Sequence, residues 1–232
     1  MRNTASSPAL LKFYASPIGK KLITGLTGLG LAFFVTVHMV GNLLMFVSHE
    51  AYNTYAYYLE RWILLLWLVE TMLAVTFLVH AIAGIQIFWR RRWARPEGYA
   101  VYASRGEPSL QSISSRTMIV TGSVLATFLI IHLVNFKFGT YYLTAVQGEP
   151  SRDLARLVIE KFHRPVYAFS YTGVMVLLGV HLRHGLWSAL QSLGLLTKAV
   201  RWSIYGLSLV LGLAIALGFV VLPLAIYFQL LT

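Results

Sequence analysis

Seven histidines are the residues of this chain best equipped for chemistry, and five of them (His38, His80, His132, His181 and His184) fall inside long apolar runs. An ionisable side chain is expensive in hydrocarbon, so an imidazole held there marks a functional position by default. Taken singly, each is equally well explained by a hydrogen bond between helices. Four separate runs each supplying an imidazole call for something that the imidazoles share.

The elements that must position them are membrane helices. Of 232 residues, 57% are hydrophobic and 12% charged, where a soluble domain carries about a quarter charged residues. Apolar runs longer than about 18 residues cross a bilayer as helices, at a rise of about 1.5 Å per residue. Five are expected, at about 21–47, 62–89, 117–138, 165–190 and 203–230. The fold class is therefore all-α, a polytopic bundle forming one integral membrane domain over 1–232. Trp62, Trp89, Tyr141, Tyr142, Trp187 and Trp202 flank spans, as rings at the headgroup level do. Gly25, Gly28 and Gly30 mimic a dinucleotide fingerprint but lie inside a span with no preceding strand, which points to close helix packing. In the loop 150–162, Pro150 and Ser151 are expected to start a short amphipathic helix, with Leu154, Leu157, Val158 and Phe162 on one face. The absence of cysteine excludes disulfides and thiolate-held zinc or iron–sulfur centres within the chain. Residues 1–19 lack the apolar core of a cleavable signal peptide, so the first span is expected to serve as the targeting signal.

The net charge of +11 does not point to nucleic acid, because the basic residues sit between spans, where topology and anionic lipid account for them. One side collects twelve of them: Arg2, Lys12, Lys20, Lys21, Arg90, Arg91, Arg92, Arg95, Arg105, Arg116, Lys198 and Arg201. The other holds six: Arg61, Lys137, Arg152, Arg156, Lys161 and Arg164. The positive-inside rule then places the N-terminus in the cytoplasm of a bacterium and, after five spans, the C-terminus outside its cytoplasmic membrane.

Depth sorts the histidines. With alternating span directions, His38 and His132 lie in the outer half, 17 and 16 residues beyond Lys21 and Arg116. His80, 10 residues before Arg90, and His181, 16 residues after Pro165, lie in the inner half. The two levels differ by about 10 Å. An imidazole pair at one depth is what a six-coordinate haem b requires, and a second pair at another depth means two haems stacked across the membrane. With both axial positions filled, such haems transfer electrons and leave no site for oxygen. Gly84 and Gly185, each four residues after a candidate ligand, leave space for a porphyrin edge, and Gly28 lies at the inner level on the first span. His184, three residues after His181, competes with it for the inner position.

The segments Ser16-Pro-Ile-Gly-Lys-Lys21, His38-Met-Val-Gly-Asn42, Glu50-Ala-Tyr-Asn-Thr-Tyr55, His80-Ala-Ile-Ala-Gly84 and His181-Leu-Arg-His-Gly-Leu-Trp187 together resemble the five-helix, two-haem cytochrome b subunits of succinate dehydrogenases. The resemblance covers the first four spans. It implies two haem b groups, held by His38 with His132 and by His80 with His181, which makes His184 a neighbour. It further implies a flavoprotein subunit and an iron–sulfur subunit docked on the cytoplasmic side, with the 90–116 loop a candidate part of that surface, and menaquinone as electron acceptor. A fumarate reductase subunit would read the same way. Other dihaem anchors tend to place two ligands on one helix, unlike this chain, and a haem-free transporter with histidine proton relays is the rival from another class.

Quinone reduction consumes protons, which singles out Glu60 and Glu70 as candidate relays or quinone contacts, with Tyr52 near Glu60 and His49 at the same boundary. His49 and His163 lie at the outer boundary, where each reads first as a solvated interfacial residue and second as a quinone or propionate ligand. Arg183 is a candidate partner for a haem propionate or a side chain snorkelling to the cytoplasmic surface, and Asn42 is placed to orient a haem substituent.

Overall fold

The computed structural model describes residues 9–94, 97 and 113–231. In chain order the elements are α1 (Ala9–Ala15), α2 (Pro17–Leu43, continued by a 3₁₀ turn Leu44–Phe46), α3 (His49–Arg61) and α4 (Ile63–Ala94). They continue with α5 (Ile113–Arg116), α6 (Met118–His132, continued by a π-helical turn Leu133–Lys137), strands β1 (Leu143–Val146) and β2 (Glu149–Arg152), α7 (Leu154–Phe162), α8 (Pro165–Ser192) and α9 (Arg201–Tyr227). Five of these helices, α2, α4, α6, α8 and α9, are long and apolar enough to cross a membrane. They run antiparallel in sequence, so the molecule has a hairpin end, carrying α3, β1, β2 and α7, and a basic end, carrying Lys20, Lys21 and Arg90 to Arg92. The expected loop basic residues Arg2, Arg95 and Arg105 lie outside the described residues, as does most of the 90–116 loop.

Local chemistry sets the helix ends. Ser16 caps α2, its hydroxyl accepting the Gly19 N–H at 2.9 Å, and Pro17 occupies the first helical position, where no N–H is needed. The second span runs past its expected end to Ala94, and the Arg90 guanidinium donates to the Ala15 carbonyl at 2.9 Å, tying α4 to α1. Helices α8 and α9 approach closely: a Cβ added at Gly179 would lie 2.8 Å from the Ala216 Cβ. Helix α2 packs on α4, α8 and α9, and α6 packs on α8. Helix α4 is peripheral, and its most apolar stretch contains no buried residue. A Cβ added at Gly25 would lie 3.4 Å from the Ala189 Cα, as close packing requires, whereas one added at Gly30 would meet nothing within 4 Å.

Three features depart from expectation. The segment after the first span, expected as a loop, is the helix α3. Ser48 caps it by accepting the Ala51 N–H at 2.9 Å, and Glu50 and Arg61 lie at the ends that suit their charges. Pro150 and Ser151 do not start a helix but belong to β2, in an antiparallel hairpin with Leu143 opposite Arg152 and Val146 opposite Glu149. Gln147 and Gly148, both at positive φ (53° and 83°), form the two-residue turn that suits the twist of the strands. The proline costs little there, because an edge strand does not need every N–H. Helix α7 begins later, at Leu154, with the Asp153 carboxylate accepting the Arg156 N–H at 3.0 Å. Its predicted apolar face holds: Leu157, Val158 and Phe162 are buried, and Leu154 packs against the core that joins α7 to Met45, Tyr52, Tyr171 and Ile226. Finally, the Trp187 ring is turned into the bundle rather than outward. It is buried between His184 and Tyr205.

The third span ends in the π turn, where the Phe138 N–H reaches the Leu133 carbonyl at 2.9 Å and the last carbonyls have no helical acceptor role. Arg152, buried at 7% exposure, supplies the missing donors. Its guanidinium donates to the carbonyls of Phe136 (2.8 Å), Lys137 (3.3 Å), Gly139 (3.3 Å) and Thr140 (3.4 Å). The hairpin thereby fastens the end of α6. Arg152→Ala strips those carbonyls of their donor and is expected to destabilise the protein by about 3 kcal/mol. Thermal unfolding in detergent measures this, with Arg152→Lys recovering part of the loss.

Candidate functional site

The four imidazoles predicted to pair do meet in pairs, on four different helices. Nearer the hairpin end, His38 of α2 faces His132, the last α-helical residue of α6, with ring centroids 5.7 Å apart and planes at 85°. Nearer the basic end, His80 of α4 faces His181 of α8, with centroids 6.4 Å apart and planes at 68°. His184 does not share this position. Its ring lies 6.2 Å from that of Trp187.

The two pairs are held differently. In the hairpin-end pair, Phe34, one turn before His38, stacks on it at 5.6 Å and 17°, and Phe219 of α9 closes another side at 5.9 Å. Phe128, Phe136 and Tyr171 surround His132 at 5.7, 5.3 and 6.2 Å. The Nδ1 atom of His132 is buried without a partner. In the basic-end pair both rings are hydrogen-bonded. His80 Nδ1 lies 3.1 Å from the Thr24 carbonyl and 3.3 Å from the Thr27 hydroxyl, and His181 Nδ1 lies 3.0 Å from the Thr121 hydroxyl.

Two imidazoles bound to one metal at about 2 Å each put their ring centroids about 6 Å apart. Both pairs have that spacing. Among the described residues no group of three or more His, Cys, Asp or Glu side chains could hold a metal ion. The surroundings fit a broad flat group. A Cβ at Gly28 would lie 3.0 Å from His80 Cε1, and one at Gly122 would lie 3.5 Å from His181 Cε1, so bare backbone faces both rings. Gly84 and Gly185 have nothing within 4 Å of where a Cβ would stand, as a porphyrin edge there would require.

The other predicted residues are distributed around the pairs. Asn42 donates to the His38 carbonyl at 2.8 Å and accepts from the Tyr52 hydroxyl at 3.2 Å, tying α3 to the turn that carries His38. Tyr52 is buried, and burial, reinforced by Tyr55 and opposed by Arg152, pushes its hydroxyl above the ordinary tyrosine range. It remains a neutral donor. Arg183 points to α9, donating to the Tyr205 hydroxyl at 2.5 Å. Glu70 pairs with Lys137 at the end of the third span, and Glu60 is exposed. His49 lines a cavity of about 630 Å³ at the hairpin end with Glu50, Asp153, Glu160 and His163, apart from the histidine pairs. Sequence reasoning did not single out Thr24, Thr27 and Thr121 or the aromatic frame around His132. Thr121 was legible in principle, since it closely follows Arg116 and so lies in the inner half of the third span, as His181 does in the fourth.

The chain contains no cysteine, so paired cysteines report this geometry on a clean background. His38→Cys with His132→Cys, and His80→Cys with His181→Cys, are expected to be bridged by a short bifunctional thiol reagent. Peptide mass spectrometry should show several-fold more bridging than in the crossed pairings of positions 38 with 181 or 80 with 132. Equal yields for all pairings would contradict the two tiers. No family model, curated protein or solved structure matches this chain.

Proposed function

We propose that this chain is the dihaem cytochrome b membrane subunit of a succinate:menaquinone oxidoreductase, taking electrons from a flavoprotein and iron–sulfur partner on its basic, cytoplasmic face. One observation carries the proposal: imidazoles from four membrane helices face each other in two pairs, at 5.7 and 6.4 Å, at two depths. His38 and His132 would hold one haem, and His80 and His181 the other. Two b haems, when bound, supply one-electron carriers at two levels of the bilayer, as electron passage from one face toward quinone near the other requires.

The chain's own residues do the remaining work. Phe34, Phe128 and Phe136 flank the hairpin-end imidazoles with apolar rings and shield them from lipid headgroups and water. Asn42 and Tyr52 fix the turn of α2 that bears His38. Glu70, ion-paired with Lys137 near the hairpin end, would pass protons toward reduced quinone on the outer side, with exposed Glu60 an alternative entry point. The positive charge of Lys20, Lys21 and Arg90 to Arg92 supports the assignment of that end to the cytoplasm and to anionic lipid. The resemblance of the His38, His80 and His181 segments to succinate dehydrogenase cytochrome b subunits supports the choice of donor complex.

The purified protein is expected to show a reduced-minus-oxidised b-type spectrum and to yield two extractable haems per chain. Alanine at His38 or His132 should lower the count to one, as should alanine at His80 or His181, with the residual haem differing between the two groups. A colourless wild-type protein would overturn the proposal and leave histidine proton relays in its place. Two haems without succinate-driven quinone reduction in the co-purified complex would retain the cytochrome and remove the succinate assignment.

A further inference from the structure

The two pairs differ in what stands behind the imidazoles. His80 Nδ1 faces the Thr24 carbonyl at 3.1 Å, and a carbonyl can only accept, so that nitrogen carries the hydrogen. The Thr27 hydroxyl, 3.3 Å from the same nitrogen, spends its own hydrogen on the Ile23 carbonyl at 2.6 Å. Thr121 repeats the arrangement on α6. Its hydroxyl hydrogen is shared by the carbonyls of Thr117 (3.1 Å) and Met118 (3.2 Å), which leaves an oxygen lone pair toward His181 Nδ1 at 3.0 Å. On the hairpin-end side, His132 Nδ1 is buried with no acceptor at all.

We propose that Thr121, with Thr27 and the Thr24 carbonyl, fixes both basic-end imidazoles with hydrogen on Nδ1 and Nε2 free, making His80 and His181 stronger iron donors than an unbonded imidazole. The proposal rests on the dihaem reading and goes beyond it by assigning positioning residues to one tier only. An acceptor behind a ligating imidazole settles its tautomer and ring orientation and raises its basicity. A more basic ligand favours ferric over ferrous iron, so the bond holds the potential of the basic-end haem below the value it would otherwise take. His80 has two acceptors and His181 has Thr121 alone, so the tier is unequally sensitive to loss of a hydroxyl.

The test is a redox titration of the two b-type α-bands in the intact complex in membranes, for wild type, Thr121→Val, Thr121→Ser and Thr27→Val. Valine matches threonine in shape and lacks only the acceptor. Thr121→Val is expected to raise the midpoint potential of one haem and leave the other in place. Thr121→Ser should stay at the wild-type value, and Thr27→Val should shift the same haem less, because the Thr24 carbonyl remains. Loss of one haem in Thr121→Val, with both retained in Thr121→Ser, supports the same role through the hydroxyl. Unchanged potentials in Thr121→Val, or a serine variant that behaves like valine, overturns the inference and leaves the dihaem reading standing. A wild-type protein without haem removes that reading before any variant is examined.

Discussion

Burying a polar ring where no water can follow is the constraint from which this architecture derives. A backbone in hydrocarbon must satisfy its own hydrogen bonds, which commits the chain to helices, and each imidazole placed on such a helix must find a partner on another. Opposing rings meet that need only at matched depth, so the positions of His38, His80, His132 and His181 along their helices fix how α2, α4, α6 and α8 may slide against one another. Helix α4 shows how much rests on this. It is peripheral, with no buried residue in its most apolar stretch, yet it delivers His80 to the ring of His181 and to the backbone of α2 at Thr24.

The two tiers then face different mechanical problems. His80 and His181 sit well inside long helices, with regular turns on both sides, and short hydrogen bonds from neighbouring helices suffice to orient them. His132 is the last α-helical residue before the π turn, and His38 lies within two turns of the end of α2. Helix ends fray unless tied down, because their last carbonyls have no intrahelical donor. The hairpin end supplies the ties. Arg152 caps the π turn, the Asn135 amide within that turn donates to the Tyr171 hydroxyl at 3.1 Å, and Tyr52 reaches through Asn42 to the carbonyl of His38. Asn53 joins α3 to the start of α7, donating to Asp153 and accepting from the Ala155 N–H, both at 2.9 Å. The water-facing cap and the hairpin-end tier are thus one connected structure.

What the sequence made legible follows from which signals are dense. Five spans stand out because each repeats one property over about twenty residues, and the pairing of the histidines follows from counting along rods of known rise. The cap was harder to read. Helix α3 is short, polar on balance and rich in tyrosine, so its start depends on the single residue Ser48. The hairpin was hidden by Pro150, which reads as a helix start until the Gln147-Gly148 turn is weighed against it. The choice between His181 and His184, open from spacing alone, depends on which ring the helix rotation turns toward α4. Trp187, whose type suggests an interface residue, is instead turned inward beside His184. The threonines behind the basic-end pair escaped notice because threonine in a membrane helix ordinarily bonds its own preceding turn, as both Thr27 and Thr121 also do.

The surroundings of the four imidazoles also bear on which class of chemistry they serve. A proton relay works by charging each histidine in turn, so it places carboxylates, or further titratable groups, within hydrogen-bond reach along a continuous path. Here the hydrogen-bonding partners of the basic-end pair are hydroxyl and carbonyl oxygens, and the neighbours of the hairpin-end rings are mostly aromatic side chains. Among the described residues no ion pair joins any of the four to a carboxylate. Glu70 is engaged by Lys137, and Arg183 is turned away to Tyr205. Such an environment favours neutral imidazoles with one nitrogen free, which is the state that binds a metal. It offers little to stabilise the imidazolium that a relay must form.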